Sequence, residues 1–270
     1  MYDIHPPCKL STKDLATMWI DSKGQQCSGA YLGNNIVITA GHCVVANNKF
    51  TIDTLQYEPA LEPDVQSFRP IEVMSFVSKN KPYNNYRIDV ALIKLSGNLK
   101  NKSVWKIGTS AVQEFKDYDA YAYGTNQDDC GTYMCRQAKA FYNKALSDKN
   151  PITRFRTHAM LFGDNNKRDY TNVGDSGSIL ADGTNIVGIL SGGEEGLSKY
   201  TDVTPFANFI NQVVSGNVPA YLDYETPDGI EKIHPKWYNY NNTSANQNPN
   251  FEDTCNYAAI QSSIAQEFIR

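Results

Sequence analysis

Short β-rich runs, each closed within a few residues by Gly, Asn, Asp or Pro, recur from residue 15 to residue 204. They are Thr17–Ile20, Ala30–Leu32, Ile36–Thr39, Phe50–Leu55, Ile71–Phe76, Val90–Leu95, Ala120–Tyr123, Ala159–Phe162, Ser178–Leu180 and Ile186–Ser191. Turn signals such as Gly33-Asn34-Asn35 and Asp182-Gly183-Thr184-Asn185 divide them. This pattern predicts an all-β barrel or sandwich. One helix is expected to close the region. Thr204 is placed to cap it and Pro205 suits its first turn. Phe206, Phe209, Ile210, Val213 and Val214 then form a single apolar stripe that Gly216 ends.

The longest apolar runs, Ile36–Ala40 and Ile186–Leu190, are strand-sized. A membrane helix needs about 18 apolar residues, so no membrane span is expected. Twenty-five basic against 29 acidic residues leave a net charge of −4. That balance offers no basic footprint for nucleic acid or an anionic membrane.

Composition changes after Gly216. Pro219, Pro227, Pro235 and Pro249 punctuate a polar stretch that contains Lys236-Trp237-Tyr238-Asn239-Tyr240-Asn241-Asn242. An arm lying over the surface, or a partly disordered one, is expected here. A second helix is expected from Thr254, with Tyr257, Ile260, Ile264 and Phe268 on one face.

The six cysteines, Cys8, Cys27, Cys43, Cys130, Cys135 and Cys255, include no C-x-x-C, and no His follows a Cys pair at zinc-finger spacing. No metal and no other cofactor is expected. An even count without metal spacing favours disulfides and an oxidising compartment, extracellular or bacterial periplasmic. Met1–Cys8 lacks the basic start and apolar core of a signal peptide, so an exported protein is expected to have lost its leader.

Three segments carry chemistry: Thr39-Ala40-Gly41-His42-Cys43, Arg87-Ile88-Asp89 before the apolar run Val90–Leu95, and Gly174-Asp175-Ser176-Gly177-Ser178. A Ser hydroxyl attacks an amide only when an imidazole takes its proton and a carboxylate holds that imidazole in the right tautomer. His42 is the candidate base, Asp89 the orienting carboxylate and Ser176 the nucleophile. The backbone N–H groups of Gly174 and Ser176 can converge on a developing oxyanion. Singly, each segment reads as ordinary turn or cap chemistry. Their order and detail set them apart.

These segments resemble the histidine, aspartate and serine motifs of the chymotrypsin/trypsin family of serine endopeptidases, with Gly41 where Ala is usual. Val187-Gly188-Ile189-Leu190-Ser191-Gly192-Gly193 looks like the strand lining that family's specificity pocket, and Tyr200-Thr201-Asp202-Val203 with the helix after it like its ending. The resemblance covers roughly residues 15–216. It implies two six-stranded antiparallel Greek-key barrels, about 15–105 and 106–217, with the catalytic groups in the cleft between them. Residues 1–14 would be an N-terminal segment and candidate propeptide, and residues 218–270 an added C-terminal extension.

The resemblance further implies that Ser191 bonds Asp89, and that the backbone of Ser191 and Gly193 pairs with an extended peptide. Tyr170, Thr171, Ser191, Gly192 and Gly193 would line the substrate site. Cys27 would bond Cys43. Cys130–Cys135 would close a small loop at the cleft rim, and Cys8–Cys255 remains to tie the tail to the body. The sequence also departs from the family. Phe162 and Asn172 stand where Cys is usual near the pocket, and Tyr170 falls at the pocket base with Asp169 one residue too early. By the same resemblance Lys199 would lie near the opposite wall. No Ile-Val-Gly-Gly start is present. Cleavage after Lys9 would free Leu10 to pair with Asp175; the rival is that Ile4 or another group serves Asp175, or that there is no activation step.

A protein or peptide substrate is the expected partner, and a macromolecular inhibitor a candidate second. The leading reading is an active secreted endopeptidase. The alternatives are a catalytically silent homologue or zymogen that binds a partner, and an aromatic tail that acts as a binding arm; a stabilising wrap is the preferred reading of that tail.

Overall fold

The computed structural model describes residues 17–22, 25–46, 49–50, 52, 54–57, 66–76, 88–100, 104–113, 116–122, 136–142, 155–159, 174–194, 197–226 and 229–240. Nineteen strands, β1 to β19 in chain order, one helix and two 3₁₀ turns lie among them.

The first barrel uses β1 (Thr17–Ser22), β2 (Gln25–Gly33), β3 (Ile36–Thr39), β6 (Thr54–Tyr57), β7 (Gln66–Phe68), β8 (Pro70–Phe76) and β9 (Val90–Leu95). β7 and β8 are one strand interrupted at Arg69. Its first part pairs with β6 and its second with β9, while β1 joins β2 to β6. The ring is therefore closed by six antiparallel strands. The short pairs β4 (Val45–Ala46) and β5 (Lys49–Phe50) stand apart as a small ribbon. β3 and β9 coincide with the expected runs because both faces of each are buried, which makes them almost wholly apolar. Between β2 and β3, Asn34 and Asn35 take φ values of 48° and 54°, the left-handed pair a tight hairpin turn demands.

The second ring runs β15 (Asn185–Glu194), β14 (Ile179–Asp182), β11 (Asp117–Ala122), β12 (Arg136–Tyr142), β13 (Phe155–Ala159) and β16 (Leu197–Asp202), and closes through β15–β16 pairing. All six pairings are antiparallel. β10 (Lys106–Ile107) adds a short parallel strand alongside β15.

A helix, Ala207–Val214, follows the second ring and buries Phe209, Ile210 and Val213. Phe209 meets Phe76 of the first barrel edge to face at 5.5 Å, so the helix ties the chain's later half to its earlier one. The entry differs from expectation. Thr204 opens a 3₁₀ turn rather than capping a helix, and its N–H and hydroxyl both donate to Asp202 Oδ1, at 2.9 and 2.7 Å. The exit is a Schellman motif at Gly216, with Gly216 N–H bonding Val213 O and Asn217 N–H bonding Gln212 O. Asn34 Nδ2 adds a bond to Val214 O at 2.9 Å.

Beyond Gly216 the chain is more ordered than an irregular arm. β17 (Leu222–Thr226) and β18 (Gly229–Ile233) form a hairpin. β19 (Tyr238–Asn239) pairs with β8, placing Tyr238 opposite Val73 and Asn239 opposite Glu72. Trp237, Tyr238 and Tyr240 pack on the core, and Tyr240 Oη donates to Ile52 O. Lys94, paired with Glu72 at 2.6 Å, lies over the Trp237 ring. The helix expected from Thr254 lies outside the described residues.

Leu222 and Ile233 join the main core, whereas Ile230 on the same hairpin is 74% exposed. Ile233→Ala is therefore expected to cost about 2–5 kcal/mol, and Ile230→Ala about 0.5 kcal/mol or less. Urea unfolding of the two variants checks the contrast.

Candidate active site

Register alone brings two of the chemical groups together. Thr39 pairs with Ala91, so the chain leaving β3 and the chain entering β9 run side by side in opposite directions. His42 lies in a 3₁₀ turn, Gly41–Cys43, just past β3, and Asp89 directly precedes β9. Asp89 Oδ1 accepts the His42 backbone N–H at 2.8 Å, and Oδ2 contacts His42 Nδ1 at 2.7 Å. A carboxylate only accepts, so Nδ1 carries the proton and Nε2 is left as the basic nitrogen. Ser191 Oγ, from β15 of the second ring, donates to the same Oδ2 at 2.6 Å. At Gly41 a Cβ would lie 3.1 Å from Asp89 Oδ1. Glycine relieves that contact.

Asp89 is buried and the His42 side chain nearly so. Burial disfavours a charged imidazole, but the adjacent Asp89 charge and its hydrogen bond outweigh this, so the His42 pKa lies above its ordinary value. Burial likewise opposes the Asp89 charge. The His42 charge and the hydrogen bonds from His42 and Ser191 outweigh it, so that carboxyl lies below the usual range.

The serine turn is fixed from the first barrel. Ser28 N–H donates to Ser176 O at 2.7 Å, and Ser28 Oγ donates to Gly174 O at 3.0 Å. Gly177 N–H bonds Leu190 O at 2.8 Å, next to Ser191. Gly177 has φ +80°, and a Cβ there would lie 2.2 Å from Thr39 Oγ1 and 2.3 Å from Ser28 O. Only glycine fits this approach of one ring to the other. Ser176 is partly exposed, while Gly174 and Asp175 are buried. Gly192 and Gly193 lie on β15, paired with Lys199 and Ser198 of β16, and a Cβ on Gly192 would meet nothing within 4 Å.

Cys27 and Cys43 form a disulfide across a separation of 16 residues. Their sulfurs and the His42 ring lie within 4.8 Å of one another, but the disulfide leaves no thiolate to hold a metal. Tyr170, Thr171, Asp169, Phe162 and Asn172 lie outside the described residues, as do Cys8, Cys130, Cys135 and Cys255. Residue patterning did not single out Ser28 or Asp202. Ser28 stands in a strand next to a half-cystine and is fully buried. A hydroxyl in a wholly buried strand position is a signal visible only once burial is known.

The trypsin family model matches residues 11–211, most of the chain. The chain belongs to the trypsin family. It is 22% identical to an alpha-fibrinogenase of Macrovipera lebetinus over 238 residues, 79% of this chain and 87% of that one. In fold it is similar to the crystal structure of a scabies mite inactivated protease paralogue, S-D1. The TM-score is 0.57 at 16% identity, over 76% of this chain and 93% of the other. Membership makes it a protein of the serine protease kind with a chymotrypsin-like fold, and protein substrates follow from the family. Among the described residues, no helix is long and apolar enough to cross a membrane.

The raised His42 pKa stabilises the fold below about 6.5, and that contribution is lost as pH rises through the higher folded value. The lowered Asp89 pKa stabilises it above 3.8, and that contribution is lost as pH falls through the lower folded value. Both are fully present between these limits. NMR titration is expected to place His42 above 6.5 in the native protein and lower in Asp89→Asn. Replacing Cys27 and Cys43 together by Ser is expected to cost about 3 kcal/mol on the loop-entropy account, read from denaturant unfolding.

Proposed function

We propose that the chain is a secreted serine endopeptidase that cleaves peptide bonds through an acyl-enzyme on Ser176. The observation that carries this reading is the Asp89–His42 bond, which fixes the imidazole with Nε2 as the base. In the reaction, Nε2 takes the Ser176 proton as Oγ attacks the scissile carbonyl. The N–H groups of Gly174 and Ser176 receive the oxyanion. His42 then returns the proton to the leaving amine, and water, activated by the same nitrogen, releases the acyl group. Asp89 and Ser191 stabilise the imidazolium throughout. Past Leu190, β15 leaves β14 and pairs only with β16 among the described strands, so Ser191 and Gly193 offer an edge on which an extended peptide can add as a strand.

Two further readings belong to the same proposal, and one competes with it. Secretion is supported by the Cys27–Cys43 disulfide, which persists in oxidising surroundings. Maturation by cleavage after Lys9 would give Asp175 a new amine as partner, a role its burial suits. N-terminal sequencing of fully active protein that still begins at Met1 would rule it out. The rival reading is a silent partner-binding homologue; a mite protein that shares the fold is described as inactivated.

A fluorophosphonate probe separates the readings. Stoichiometric labelling of the native protein, absent in Ser176→Ala by intact mass, is expected of the peptidase. Asp89→Asn is expected to lower the rate on the order of 10⁴-fold, and the acid limb of the rate profile to fall at the raised His42 pKa. Folded protein that stays unlabelled before and after brief trypsin treatment supports the silent homologue; labelling only after treatment indicates a zymogen.

A further inference from the structure

We infer that Ser28 is a positioning residue for the oxyanion site, acting through its side-chain hydroxyl; this rests on the peptidase reading above. Ser28 is fully buried and belongs to the first barrel, while the turn it holds belongs to the second. Its Oγ donates to Gly174 O and its N–H to Ser176 O, so one residue grips the turn on both sides of Asp175. Between those grips, Asp175 O accepts the Ser178 N–H at 2.8 Å.

Trans peptide geometry relates these bonds to the directions of the turn's N–H groups. In a trans peptide the N–H points opposite to the carbonyl of the same plane. Holding Asp175 O therefore aims the Ser176 N–H away from Ser178. Holding Ser176 O aims the Gly177 N–H, which reaches Leu190 O. The Gly174 carbonyl is the remaining plane, and only the Ser28 hydroxyl bonds it among the contacts described here. Gly174 has φ +95° and, with no side chain, little of its own to resist rotation. By the same rule the held carbonyl aims the Asp175 N–H. The Gly174 N–H, the second oxyanion donor, lies in the plane on the other side of the same Cα. Anchoring that carbonyl therefore restricts it indirectly, through the φ and ψ of one residue. Thr39 Oγ1 donates to Ser28 O at 2.7 Å, which holds the clamp itself in place.

Losing an oxyanion donor outright typically costs about 10²–10³-fold in kcat. Loosening one by removing the Ser28 hydroxyl is expected to cost roughly tenfold by the same account. The experiment is Ser28→Ala and Ser28→Gly, both of which keep the backbone N–H bond to Ser176. Either folded variant, checked by its melting transition, is measured with a peptide ester and with a peptide aldehyde that mimics the tetrahedral intermediate. The expected result is a kcat about tenfold lower, KM unchanged, and aldehyde affinity weakened by the same factor. The inflection assigned to His42 should stay where it is, because the Asp89–His42 pair is untouched. A folded variant with wild-type kcat and aldehyde affinity would overturn the inference. So would a fall in kcat that leaves aldehyde affinity intact, or one that moves the His42 inflection instead. If the native protein neither labels nor binds the aldehyde, the peptidase reading has failed and not the role of Ser28.

Discussion

The two rings touch backbone to backbone at Gly177, and the site depends on that contact. A single methyl at this position would collide with Thr39 Oγ1 and Ser28 O. With hydrogen in its place, the serine turn lies against the strand end from which the chain passes directly to His42. The Asp89–Ser191 bond makes a second crossing from one ring to the other. Groups on separate closed sheets are thus held by short, directional links that leave little tolerance. In the proposed peptidase, geometry of this kind would be sensitive to displacements of about 1 Å.

Electrostatics acts within this frame. Asp89 is nearly inaccessible to water, yet its carboxylate accepts three hydrogen bonds, from the His42 backbone, the His42 ring and Ser191. Buried charge is costly without such partners. Here they keep the carboxylate ionised, and the ionised carboxylate keeps the imidazole proton on Nδ1. Position, tautomer and charge are therefore one coupled property of the first barrel's β3–β9 edge.

Sequence reading reached the parts of the molecule whose chemistry is local. β3 and β9 were legible because burial on both faces leaves an uninterrupted apolar run, and the hairpin at Asn34-Asn35 because its turn demands particular residues. β12, Arg136-Gln137-Ala138-Lys139-Ala140-Phe141-Tyr142, was missed because alanine and charge carry little strand preference. Phe50–Leu55, expected as one strand, is divided between β5 and β6. The His42–Asp89 contact lies where the motifs put those two residues; Ser176 as nucleophile remains a proposal from its motif. The bonds of Ser28 and Asp202 were not legible. Ser28 acts across 146 positions of sequence, and Asp202 takes over a capping role that the pattern assigned to its neighbour Thr204. β19 was hidden for a similar reason, since two residues gain their strand character only from β8.

That last pairing bears on how the chain matures as it is made. The first barrel is encoded before residue 96, yet the peptide groups of β8 facing Tyr238 and Asn239 find their strand partners only when the far end of the chain arrives. Until then the barrel has a bare flank, the kind of surface on which a neighbouring nascent chain can add its own strand. A chain that ends before Tyr238 keeps that flank open. The C-terminal stretch thus covers, at Tyr238 and Asn239, an edge of the barrel that precedes it.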